Sequence, residues 1–140
     1  MTEELPEGWE AWLAYFSASL PQPVEQFTSA DGDVTFQAGE PGEVIVHLTP
    51  HLITVSMHSF KRSSTFEPIV IARPVGYVRW RRLLPDDATA VVAALIAAAR
   101  GARRAMYRVC RSCDSVHPPE SMYDDEMCLG CASTHQGSIH

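Results

Sequence analysis

Apolar residues in the first twenty positions fall at helical spacing: Trp9, Trp12, Leu13, Phe16 and Leu20. That period gathers them on one broad face and predicts a helix over 6–20. Pro6 suits its first turn, Glu7 and Glu10 favour the positive end of the helix dipole, and Pro21 and Pro23 stop it. The period then shortens to two. Val34-Thr35-Phe36-Gln37 alternates, as do Val44, Val46 and Leu48, and then Ile53, Val55 and Met57, each with wetter neighbours. Such alternation marks strands with one buried face. Residues 38–42 and 49–51 punctuate the three segments, which read as a meander. Residues 59–68 read as a polar connection. Ile69-Val70-Ile71 and the run Tyr77 to Leu83 read as two further strands, the second with Val78 and Trp80 on one face and Tyr77, Arg79 and Arg81 on the other.

Pro85-Asp86-Asp87 opens a second, longer helix, with acids in its first turn and arginines near its end. At 100° per residue, Val91, Val92, Leu95, Ile96, Ala98, Ala99, Ala102 and Met106 share one side, and Arg100, Arg104 and Arg108 lie opposite. Gly101 costs about 1 kcal/mol against Ala inside a helix, so the end is expected between 100 and 108. The order of elements predicts an α+β fold: an antiparallel sheet of three to five strands, flanked by an N-terminal and a long second helix. This domain is expected to span 1–109, with a separate small module over 110–140.

The 140 residues are 46% hydrophobic and 20% charged, enough apolar material for one core and an appendage. The longest apolar run, Ala88 to Ala99, is too short to span a bilayer. The acidic start lacks the basic and apolar regions of a secretory signal, so a reducing, cytoplasmic setting without a membrane partner is expected. The net charge of −6 is unevenly distributed: residues 1–60 carry −9, residues 61–111 carry +8, and residues 112–140 carry −5. The basic segment either neutralises the acidic ones across the fold or presents a surface to an anionic partner.

The C-terminal module holds all four cysteines, as two Cys-x-x-Cys pairs: Cys110 with Cys113 and Cys128 with Cys131. A Cys-x-x-Cys turn aims two thiolates at one point, and two such turns complete a tetrahedron about 2.3 Å from each sulfur. The expectation is one structural zinc ion per chain on Cys110, Cys113, Cys128 and Cys131. Four thiolates close the coordination sphere, so no position remains for a reacting water. His117 and His135, each four residues after a cysteine, are the competing ligands.

The segment CRSCDSVHPPESMYDDEMCLGC, with Pro118-Pro119 as a hairpin and Met122 before the second pair, resembles the treble-clef and zinc-ribbon group of small zinc modules. In treble clefs the second pair opens a short helix, which residues 132–136 would supply here. Asp114 stands where that group often has glycine. Phage recombination endonucleases share a similar arrangement, but their catalytic histidine region follows it. Only nine residues follow Cys131, so that activity is not implied.

Outside the cysteines, Tyr77, Arg79, Trp80, Arg81 and Arg82 mix aromatic and cationic groups on the predicted strand, a composition that can stack bases and neutralise phosphates. Arg100, Arg104 and Arg108 extend the charge toward the cysteines. His47, His51 and His58 lie close in sequence around a turn and are a candidate metal or catalytic face. No nucleophile elbow and no phosphate-cradling glycine loop occurs. The expected function is therefore non-enzymatic: a zinc protein acting by macromolecular contact, foremost with a protein, as inhibitors, immunity proteins and adaptors do. Nucleic-acid binding through the arginines is the alternative, and an enzyme built on the three histidines is the third.

Overall fold

The structure, a computed structural model, describes residues 7–65 and 67–138, and in the last helix side chains as far as Thr134. It is α+β. Helix α1 (Trp9–Ser19) leads into five antiparallel strands, β1 (Val24–Thr28), β2 (Val34–Ala38), β3 (Val44–Leu48), β4 (Ile53–Arg62) and β5 (Pro68–Val78), ordered in space as in sequence. A 3-10 turn (Trp80–Arg82) and helix α2 (Pro85–Ala105) follow. The chain ends in a short hairpin, β6 (Arg108–Val109) with β7 (Val116–His117), a 3-10 turn (Pro119–Ser121) and α3 (Leu129–Ser138).

Register places the alternating apolar residues in rows. Val34, Phe36 and Ala38 on β2 pair with Leu48, Val46 and Val44 on β3, and these pair with Ile53, Val55 and Met57 on β4. All nine are buried in one cluster with Trp9, Trp12, Phe16 and Leu20 from the first helical segment and Ala88, Val92, Ile96 and Ala99 from α2. Both helices therefore cover the same face of the sheet. Phe16 stacks toward Phe36 at 5.2 Å between ring centres, and Trp12 meets Trp80 edge-on at 6.3 Å. Burying one such side chain contributes roughly 1.5–3 kcal/mol.

Several expected elements differ. The first helix begins at Trp9, capped by Gly8 in a left-handed conformation at φ 93°, while Pro6 lies outside the described residues. β1 was not anticipated. Its VEQFT sequence lies at the edge of the sheet and is exposed along most of its length, so it shows no apolar alternation. The expected polar connection at 59–68 shrinks to 63–67, because β4 and β5 form a hairpin extending beyond the other strands.

The two expected strands around Pro74 are one. Pro74 faces Ser56 and Gly76 faces Val55, so Val75 is the extra residue of a bulge. Proline is tolerated there because β5 is the outer strand and a bulge needs no ladder bond from its nitrogen. The expected strand to Leu83 stops at Val78, and Arg81 and Arg82 belong to the 3-10 turn. On α2 the buried stripe is Ala88, Val92, Ile96, Ala99 and Arg103, whereas Val91, Ala98 and Ala102 are exposed. The expected side shares Val92, Ile96 and Ala99 with this stripe, which begins instead at Ala88 and ends at an arginine.

Candidate metal centre and the basic groove

The hairpin β6–β7 makes the first cysteine turn. The amide of Asp114 donates to the carbonyl of Cys110 at 2.8 Å, and the amide of Cys110 donates to the carbonyl of Ser115 at 3.0 Å. Closing so tight a loop needs a left-handed residue. Asp114 supplies it at φ 60°, a conformation Asp tolerates better than most residues. The second pair sits where α3 begins: the amide of Ala132 donates to the carbonyl of Cys128 at 3.0 Å. A single bridge between Met122 and Cys128, and a bond from the amide of Arg111 to the carbonyl of Glu126 at 2.7 Å, tie the two turns together.

The four sulfurs lie within 4.8 Å of one another. A tetrahedron with sulfur–metal bonds of about 2.3 Å has sulfurs about 3.8 Å apart, so a closure of at most about 1 Å would bring the quartet onto a metal ion. Cys110 and Cys128 are buried against Met122 and Met127, Cys131 is half-buried and Cys113 is exposed. Backbone amides point at the sulfurs: Cys128 donates to Cys110 Sγ at 3.3 Å and Cys131 to Cys128 Sγ at 3.4 Å. The first of these is the main cause holding the Cys110 thiol below its ordinary value. The Ser115 amide brings Cys113 down to about 7, while sulfur contacts, first with Cys128 and then with Cys110, push Cys131 up to about 12. Without a cation the crowded sulfurs cannot all ionise. A divalent cation removes that conflict. His117 Nε2 lies 3.5 Å from Cys113 Sγ, in contact with a candidate ligand atom. The His135 side chain lies outside the described residues.

Pro118-Pro119 do not form the expected hairpin. They lead the 3-10 turn Pro119–Ser121, which carries Glu120 to Arg103. Arg103 is fully buried; its Nε donates to the carbonyl of Gly42 at 2.8 Å and its Nη2 pairs with Glu120 Oε2. His58 is buried nearby, with burial first and the Arg103 charge second lowering its pKa. His58 Nδ1, Arg103 Nη1 and Glu120 Oε1 are buried without a hydrogen-bond partner among the described residues. Arg62 reaches from the end of β4 and donates to the carbonyl of Met122 at 3.0 Å. The cysteine segment is thus clasped to the sheet by two arginines. For Arg103 the signal is the helical period carried one turn past Ala99, which the expected side, ending in Ala102 and Met106, did not include; Arg62 had none.

The expected arginine surface divides into two. Arg100 and Arg104 both reach Glu43 Oε1, at 3.4 and 3.2 Å, and Arg108 donates to the carbonyls of Ala105 and Tyr107. Trp80 is not a surface residue: it is buried, and its indole donates to the carbonyl of Thr49 at 3.0 Å. Tyr77, Arg79, Arg81 and Arg82 instead gather with His51 and Leu52 around an open groove of about 810 Å³. The three histidines are not brought together. His47 faces Asp33 at 3.9 Å on the surface, His51 is in the groove beside Arg81, and His58 is buried. Among the described residues, the cysteine quartet is the only group of three or more His, Cys, Asp or Glu side chains with ligand atoms close enough to share a metal.

No helix among the described residues is long and apolar enough to cross a membrane. No family model, no curated protein and no solved structure matches the chain.

Proposed function

We propose that Cys110, Cys113, Cys128 and Cys131 hold one structural zinc ion, and that the protein acts by binding another protein rather than by catalysis. The observation that carries this reading is the closed sulfur quartet, whose atoms already lie within 4.8 Å of one another. Zinc there supplies a cross-link between β6–β7 and α3, and a fourfold thiolate sphere leaves no position for substrate. The turn on a hairpin followed by a turn at a helix start supports the treble-clef resemblance. Four free thiols suit a reducing compartment, which favours the cytoplasm. An adaptor, inhibitor or immunity protein is the class this reading places it in.

The test is elemental analysis of protein purified without chelator, paired with native purification of the tagged chain. The expected result is one zinc per chain and a co-purifying protein in fixed ratio. Zinc-free protein with a disulfide in each pair would overturn the metal assignment, and a stable monomer that carries no partner would overturn the binding role.

A further inference from the structure

We propose that the groove between the turn after β3 and the 3-10 turn after β5 docks an acidic, leucine-containing segment of the partner protein. The proposal rests on the binding role above and adds its place and chemistry.

Arg79, Arg81 and Arg82 differ from the four arginines of the basic segment that are held in ion pairs. Arg100, Arg103, Arg104 and Arg111 each meet a carboxylate, whereas no ion pair among the described residues involves Arg79, Arg81 or Arg82. Among the described residues, no acid lines their groove. The only side-chain hydrogen bond of the three, among the described residues, is Arg81 Nη1 with His51 Nδ1, at 3.4 Å. The turn carrying them is held in place from inside by Trp80, through its bond to Thr49 and its edge contact with Trp12. Cations on a fixed turn lose less freedom on binding than cations on a mobile loop. Guanidinium groups pair with carboxylates through two parallel hydrogen bonds.

Apolar surface adjoins the cations. A second groove of about 540 Å³ shares Arg81 and runs past Ala11, Trp12, Leu83 and Pro85. Tyr77 is 65% exposed and Leu84 72%. Arginine and exposed tyrosine are enriched in protein-binding hot spots. A nucleic-acid track would need the positive surface to continue, but here it runs into Leu83, Pro85 and Glu7, on a chain of net charge −6. A segment alternating acids with leucines matches both grooves: carboxylates on the arginines, leucines along Trp12 and Leu83.

The test uses the full zinc-loaded chain and a fluorescent synthetic peptide alternating glutamate and leucine, read by fluorescence anisotropy. Binding is expected at low salt and should weaken as salt rises. The double variant Arg79→Ala/Arg81→Ala should weaken it about tenfold or more. The variant Arg104→Ala/Arg108→Ala removes the same charge from the far end of α2 and should leave it unchanged. Both variants alter exposed side chains, and circular dichroism checks that they fold. The proposal is overturned by any of four results: no peptide binding at low salt, equal binding of a glutamine-for-glutamate peptide, tighter binding of oligouridylate than of the peptide, or equal losses in the two double variants. A native partner that still co-purifies after such a failure would leave the binding role standing and move its site elsewhere.

Discussion

Gly42 shows how one residue can set the packing around a buried charge. A Cβ added there would meet the His58 ring at 2.3 Å, closer than real atoms approach, so the buried ring or the backbone must shift. The same residue's carbonyl accepts from Arg103 Nε. Gly42→Ala should therefore destabilise the fold by about 1–3 kcal/mol, the usual cost of overpacking. Urea denaturation measures it, and an unchanged midpoint would show that the ring is free to move. Arg103→Leu should cost more, about 3–5 kcal/mol, because it leaves the Glu120 carboxylate buried without its cation. The double change Arg103→Leu/Glu120→Leu should be milder than the single one, since it removes the stranded charge as well. Equal losses would mean that packing rather than charge holds the junction.

At the scale of elements, period made the buried strands and both helices legible. β2, β3 and the first half of β4 have one face in the core, and their alternation states which residues point there. β1 was illegible because an exposed edge strand has no reason to alternate, and β5 was split in two because Pro74 reads as a stop unless the strand is known to be outermost. The four cysteines were legible because metal geometry demands a spacing that local sequence can display. Arg103, Glu120 and His58 were not, since their meeting depends on where α2 ends against β4. These contacts also decide what loss of a cysteine does. Cys128→Ser should remove amide protection across 110–134. It should also weaken the end of α2 near Arg103 and the Gly42–His58 region, which lose Glu120 as a partner. Hydrogen exchange should leave the paired centres of β2 and β3 protected. Uniform loss across 34–57 would instead show that the division at 109/110 has no energetic meaning and that the chain unfolds as one unit.

Over the whole molecule, the segregated charge is partly reunited by folding. Glu43 from the acidic first segment meets Arg100 and Arg104, and Glu120 and Glu126 from the acidic last segment meet Arg103 and Arg111. The exposed Arg111–Glu126 pair adds little to stability. The buried junction, by contrast, makes stability depend on pH, and both of its titrating groups act in the same direction. His58 is held below its ordinary value of 6.5, by burial first and by Arg103 second, with Glu120 opposing. Glu25 and Glu40, which line the shallow pocket beside His58, face it from the strand side. The folded state thus takes up a proton on His58 less readily than the unfolded state, so its contribution is complete above 6.5 and is lost as pH falls from there toward its folded value. Burial pushes Glu120 upward, but the hydrogen bond and charge of Arg103 outweigh it and leave Glu120 below its ordinary 4.5. Its contribution is present above 4.5 and lost as pH falls through its folded value. The melting temperature should therefore decline in two stages on acidification, the first beginning near 6.5 and the second below 4.5. Protonation of thiolates on the proposed metal would add its own acid loss, common to any variant that keeps the cysteines. The difference between the native chain and His58→Gln isolates the histidine: the variant should lack the first stage and keep the second. Melting curves of the two proteins that fall in parallel from 6.5 downward would show that His58 is not the group that titrates in the junction.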